Sequence, residues 1–157
     1  MTSLHHEHLI RINDPANVAG RWLTREQLWA GLWHTVITPE SIDTSIDAAS
    51  VQELGPNELR REIRRGHTNF CDRVERVDKD RFTIHADAAS AFAGSTLTIS
   101  IEEPASGMLF VRFSYNLLGL ENDRSEEEDE TRRAAYRESD ISRIREARRF
   151  VADTTRH

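Results

Sequence analysis

Leu97, Ile99 and Ile101, then Leu109, Val111, Phe113 and Tyr115, form two strictly alternating apolar stripes, and a run from Ser125 to Arg149 without proline or glycine follows them. Period two marks half-buried strands, and the long uninterrupted run marks one terminal helix. A bent antiparallel sheet gripping that helix satisfies both patterns. Such an arrangement tends to leave a cavity between sheet and helix, which points to ligand binding.

Further period-two segments lie near residues 50–54, 57–65, 68–77 and 81–87, and the two stripes extend over 95–103 and 108–116. The breaks at Gly55-Pro56, Gly66-His67, Asp78-Lys79-Asp80, Ala93-Gly94 and Pro104 to Gly107 are too short for parallel crossovers, so the strands form an antiparallel meander. A two-residue loop at Gly66-His67 predicts the register of its hairpin: Ile63 opposite Phe70, Arg61 opposite Asp72, Leu59 opposite Val74. An ion pair then sits in an apolar row, and a slip of one residue would destroy all three matches.

Upstream, His6 to Asn13 reads as a first strand stopped by Asp14-Pro15. Thr24 and Gln27 make a capping box, and Leu28, Trp29, Leu32, Trp33, Val36 and Ile37 recur at helical spacing until Pro39. Pro39 to Ile42 adds a short turn. Downstream, Ser125 and Glu128 make a second capping box for a helix running to about Ala152. Ile141, Ile144, Ala147 and Val151 share its inward stripe with Arg137, Asp140 and Arg148, with Tyr136 at the edge. The acidic block Glu126 to Glu130 and the cluster Arg143, Arg145, Arg148 and Arg149 complement the helix dipole. The segment Asn116 to Leu120 reads as a loop packed on the core or as an apolar lid.

This order of elements resembles the helix-grip fold of the START/SRPBCC superfamily. Within it, the AtaL-like family is the one resembled by His8-Leu9-Ile10-Arg11-Ile12-Asn13-Asp14-Pro15, Leu23-Thr24-Arg25-Glu26-Gln27-Leu28-Trp29-Ala30-Gly31-Leu32, Asp72-Arg73-Val74, Gly94-Ser95-Thr96-Leu97-Thr98-Ile99 and Tyr136-Arg137-Glu138-Ser139-Asp140-Ile141. The resemblance implies an α+β fold: one strand, two short helices, six further antiparallel strands, and a long C-terminal helix packed across a curved sheet. It implies no single activity, since the fold hosts binding, transport and catalysis.

The 157 residues suit a single domain over 1–157. No apolar run approaches membrane-spanning length and the N-terminus lacks a secretory core, so the expected location is cytoplasmic, without a membrane partner. Cys71 is the sole cysteine, which excludes an internal disulfide. A net charge of −6 argues against a nucleic-acid surface. The absence of Walker or Rossmann glycine loops and of a Ser/His/Asp set argues against ATP use, dinucleotide cofactors and nucleophilic hydrolysis, and no cofactor is expected. His5, His6 and His8 invite a metal, with His67 or His85 as a third ligand, but two ligands on one strand face are not a site and none is expected.

The expected ligand is a small hydrophobic or amphipathic molecule with a polar or anionic end. Phe70, Val74, Phe82, Ile84, Ile99, Val111, Phe113 and Ile144 would wall its body, while Arg61, Asp72, Tyr115, Tyr136, Asp140 and Arg148 would meet its head. The alternative is a polyketide-cyclase- or dehydratase-like enzyme using the same cavity, with Asp72 or Asp140 carrying a proton. Trp22, just outside the capped helix, offers a contact for a homodimer.

Overall fold

The computed structural model describes residues 2–16, 20–87 and 94–155. Its elements are β1 (Thr2–Arg11), α1 (Arg25–Ile37), a 3-10 turn (Pro39–Ser41), β2 (Ala48–Gly55), β3 (Glu58–Arg65), β4 (Thr68–Val77), β5 (Arg81–Ala86), β6 (Gly94–Glu102), β7 (Phe110–Leu120) and α2 (Glu126–Thr154). The strands make one seven-stranded sheet in the order β1-β7-β6-β5-β4-β3-β2, antiparallel throughout. With α2 lying across it, this is the helix-grip architecture. The β3–β4 register is the expected one, with Arg61 opposite Asp72 between the pairs Ile63 with Phe70 and Leu59 with Val74.

Strand boundaries move where side chains find better partners than the ladder. β1 begins at Thr2 and ends at Arg11. Asn13, expected to end that strand, accepts from the backbone N–H of Leu23 (2.9 Å) and donates to the carbonyls of Leu23 (2.9 Å) and Gly107 (2.8 Å), pinning the loop before α1. β7 runs on to Leu120, so the segment 116–120 is strand rather than lid, and Leu117 and Leu120 are buried with Leu4. The break expected at Ala93-Gly94 is partly outside the described residues, which resume at Gly94 as β6 begins.

The Thr24 capping box forms in both directions: its hydroxyl accepts from Gln27 N–H and its own N–H donates to the Gln27 side chain. From there α1 lays Leu28, Trp29, Leu32 and Val36 into the concave side of the sheet. Trp29 and Trp33 stack on one another and meet the ring of Phe82 edge-on at 5.8 and 6.2 Å. Burying each of these large side chains contributes roughly 1.5–3 kcal/mol, so this end of the sheet is closed by packing. Gly31 faces Ala147 of α2, and the absence of a Cβ there lets the two helices touch backbone to side chain.

In α2 the Ser125 hydroxyl accepts from Glu128 N–H (3.1 Å), which forms one half of the expected box. The buried stripe is Asp140, Arg143, Ile144, Ala147 and Val151. It is turned toward Arg143 and away from Ile141, which is 48% exposed, and from Arg137, which pairs with Glu130 at 2.9 Å. Both were expected on the inward face. The reason is that α2 packs on α1 as well as on β1, and Arg143 is the side chain facing α1, where it donates to Thr35.

Candidate functional site

Cross-strand pairing lines the concave face with rows of side chains. One row reads His6, Tyr115, Leu97, Ile84, Val74 and Leu59, and the next reads Leu117, Ser95, Ala86, Asp72 and Arg61. Of these rows only Arg61 reaches the cleft described next, together with Ile63 of the row beyond it.

A cleft of about 420 Å³ opens between α2, β3 and the segment following α1. Pro39, Ile42, Ile46 and Ile63 give it apolar walls, Ser139 and Ser142 add hydroxyls, and Arg61, Arg65 and Arg143 line it as well. Two of these arginines have carboxylate partners. Arg61 donates through Nε (2.8 Å) and Nη2 (2.7 Å) to both oxygens of Asp72 and through Nη1 to the Val36 carbonyl (2.9 Å). Arg65 is held by Asp43 at 2.8 Å at the mouth.

Arg143 differs. It is only 7% exposed, its Nη1 donates to the Thr35 hydroxyl (3.1 Å), and its Nε has no hydrogen-bond partner among the described residues. Burial pulls its pKa down to about 10, against the favourable fields of Tyr115, Asp140 and Asp72, so the group remains a cation at neutral pH. A buried guanidinium lacking a carboxylate is costly, and it sits on the wall of the cleft.

One turn earlier on α2, fully buried Asp140 accepts a short hydrogen bond from the Tyr115 hydroxyl, and its other oxygen lies 3.0 Å from Nδ1 of His8. Burial raises the Asp140 carboxyl above the usual range, against the lowering effect of those two partners. Burial likewise raises the Tyr115 phenol, with the Asp140 charge second. Tyr136 stacks on Tyr115 with ring centroids 4.0 Å apart, and His6 lies 6.0 Å from Tyr136. This cluster fastens α2 to β7 and β1.

The structure brings together Arg61 and Asp72, and separately Tyr115, Tyr136 and Asp140. It does not place the expected apolar body wall on the cleft. Val74, Phe82, Ile84, Ile99, Val111, Phe113 and Ile144 belong to the packed cluster, because α1 occupies the concave side over them. Phe70 is 38% exposed at the β3–β4 end under the Arg65 guanidinium. Arg148 donates to the carbonyls of Arg21 (2.8 Å) and Ile12, tying α2 to the chain before α1 instead of reaching Arg61. The sequence reading missed Arg143, which it grouped with the solvated basic end of α2, and with it Thr35, Ile46, Ile63, Ser139 and Ser142. No local signal marked it, since an arginine on α2 reads the same whether it faces solvent or α1.

Among the described residues no group of three His, Cys, Asp or Glu side chains is arranged to hold a metal, and no helix is long and apolar enough to cross a membrane. Trp22 is 52% exposed.

Among solved structures, the chain is similar to the di-domain ARO/CYC StfQ from the steffimycin biosynthetic pathway (TM-score 0.75, 10% identity), covering 97% of this chain and 52% of that one. It thus spans about half the length of that protein. It is also similar to the Zhui aromatase/cyclase from Streptomyces sp. R1128 (TM-score 0.70, 8% identity, 99% and 97% covered) and to Ara h 8.0201 (TM-score 0.65, 8% identity, 97% and 99% covered). At these identities the likeness establishes the fold. No curated protein matches the sequence. Residues 10–154 match the family described as Acetylaranotin biosynthesis cluster protein L, and the chain belongs to this AtaL family.

Proposed function

We propose that the protein binds a small, largely apolar molecule with an anionic end in the cleft between α2 and β3, where Arg143 receives the charge. The observation that supports this reading is the buried Arg143 guanidinium on the cleft wall, which among the described residues has no carboxylate in ion-pair contact. The similarity to aromatase/cyclases, which share only the fold, is compatible with such a cavity.

A binding residue kept at a cost to the fold has a recognisable signature. Arg143→Met removes the desolvated charge while keeping apolar volume, so it is expected to raise stability by about 1 kcal/mol, seen as a Tm higher by roughly 2–4 °C. The same variant should bind 8-anilinonaphthalene-1-sulfonate, an apolar probe with one negative charge, at least about tenfold more weakly than the parent. Exposed Arg145→Met should change neither quantity. A drop in Tm with unchanged dye binding would assign Arg143 a purely structural role and end this reading.

A catalytic reading is favoured by one observation, the raised carboxyl of Asp140 beside a phenol and an imidazole. Because its folded pKa lies above the unfolded one, folding takes up a proton between the two values. The cost of this group is absent below the ordinary carboxylate pKa and grows as pH rises through the raised value. Asp140→Asn keeps the shape and removes that dependence, so urea midpoints should fall less between about pH 4 and pH 7 than in the parent. If the cleft also turns over a substrate, the same folded variant should lose one limb of the pH–rate profile; unchanged turnover would confine Asp140 to holding α2.

A further inference from the structure

We propose that the ligand, besides its anionic end, carries neutral hydroxyl groups along the side of its body that faces α2 and none on the opposite side. This deepens the cleft reading above and rests on it. The two walls of the cleft differ in chemistry, and that difference selects the ligand.

One wall comes from the segment after α1 together with β3. Pro39, Ile42, Ile46 and Ile63 make it apolar, and its charged groups are already engaged, Arg61 with Asp72 at 2.7 Å and Arg65 with Asp43 at 2.8 Å. The α2 wall holds Ala135, Glu138, Ser139, Ser142 and Arg143, without one large apolar side chain. Glu138 and the hydroxyls of Ser139 and Ser142 make no hydrogen bond or ion pair among the described residues. A hydroxyl within a helix either bonds back to its own carbonyl ladder or points outward. Thr131 and Thr154 of α2 donate to the Glu127 and Val151 carbonyls (2.9 and 3.1 Å), and Thr35 of α1 donates to the Leu32 carbonyl (2.6 Å). In these two helices only Ser139 and Ser142 forgo that return bond, and both stand on the cleft.

At a spacing of three the two serines are neighbours on one helix face, with Cβ atoms about 5–6 Å apart, and Ala135 continues that face toward the helix start. A serine oxygen lies a single bond from Cβ, so a serine that lines a cleft keeps its hydroxyl at that surface in every rotamer. Such a hydroxyl both donates and accepts. Glu138 narrows the choice of what it meets. A carboxylate only accepts and repels a second negative charge, so a hydroxyl suits this wall, a bare carbonyl oxygen offers Glu138 nothing, and a second acid is rejected. On the other side, an oxygen laid against Ile42, Ile46 and Ile63 would lose water and gain no partner. The ligand class is therefore a hydroxylated monoanion with one apolar side.

A matched series on one ring system tests this: naphthalene-2-sulfonate, its 6-hydroxy and 7-hydroxy derivatives and their methyl ethers, titrated calorimetrically into the full chain, with the fluorescent sulfonate dye as an independent report on the cleft. At least one hydroxy compound should bind about fivefold or more tighter than the plain sulfonate, and its methyl ether, which cannot donate, should lose most of that gain. Naphthalene-2,6-disulfonate should bind more weakly than the plain sulfonate. Replacing both serines, Ser139→Ala with Ser142→Ala, should bring the hydroxy compound down to the plain one. Alanine is the better helix former and the lost hydroxyls bond nothing in the fold, so the Tm should not fall and the change reads binding alone. Hydroxy compounds no tighter than the plain sulfonate, a methyl ether as tight as its hydroxy parent, or a preference that survives the double substitution overturns the hydroxyl assignment. A tighter disulfonate overturns the monoanion assignment. In each case dye binding that still depends on Arg143 leaves the cleft standing, and such dye binding without any naphthalene binding likewise overturns this inference alone. Binding of neither dye nor naphthalene series brings down the cleft reading and this inference together.

Discussion

Asp72→Ala is expected to cost the fold about 3–5 kcal/mol, because it strands a buried guanidinium whose bidentate partner has gone. Against a typical total of about 5–15 kcal/mol, that is a large share of the stability, and the urea midpoint should move accordingly. The effect belongs to breaking the pair rather than to lacking one. Replacing both partners, as Arg61→Met with Asp72→Leu, should recover most of the loss, since two apolar side chains of similar volume leave no uncompensated charge in the row. A double variant as unstable as Asp72→Ala would mean that the pair's geometry, including the Arg61 bond to the Val36 carbonyl, organises α1 in a way apolar packing cannot replace.

Gly31→Val is the second large effect, expected at about 3 kcal/mol of destabilisation. A Cβ at this position would lie 2.6 Å from the Ala147 carbonyl oxygen and 2.9 Å from the Ala147 Cβ. Backbone cannot yield as the end of a flexible side chain can, so α1 and α2 must separate. Ala147→Gly should therefore rescue only part of the loss, removing the Cβ contact and not the carbonyl contact. Since α2 carries Arg143 and α1 carries Thr35, forcing the helices apart should also weaken dye binding more than the stability loss alone explains. Chemical denaturation and titration of the same samples give both numbers.

Much of this architecture is legible in the residues. Alternation at Leu97 to Ile101 and Leu109 to Tyr115 reports a physical period, and the three matched pairs around Gly66-His67 hold because a slipped register would turn Leu59 and Ile63 to solvent. The site was legible in part. Period two identifies which side chains share the inner face, but Phe82 and Ile63 both lie on that face, and only the path of α1 decides that one is covered and the other lines a cleft. In α2 a helical wheel gives relative angles and no absolute facing. Ile141 and Arg143 stand on opposite flanks of Ile144, and the contact with α1 at Gly31 and Thr35 chooses between them. Charge counting along the sequence placed Arg143 with its solvated neighbours because nothing local separates a buried arginine from an exposed one.

The pairing of β1 with β7, in which Arg11 meets Phe110 and Thr2 meets Leu120, has a kinetic consequence. β1 stays without its sheet neighbour until β7 has been made, whereas the meander from β2 to β7 can zip up through local hairpins as it appears. Only after that does α2 arrive, so a chain cut before Glu126 leaves Gly31 on the outer side of α1 without the Ala147 backbone that packs against it. Refolding should accordingly show hairpin formation well ahead of the closing step, and that closing step should set the overall rate.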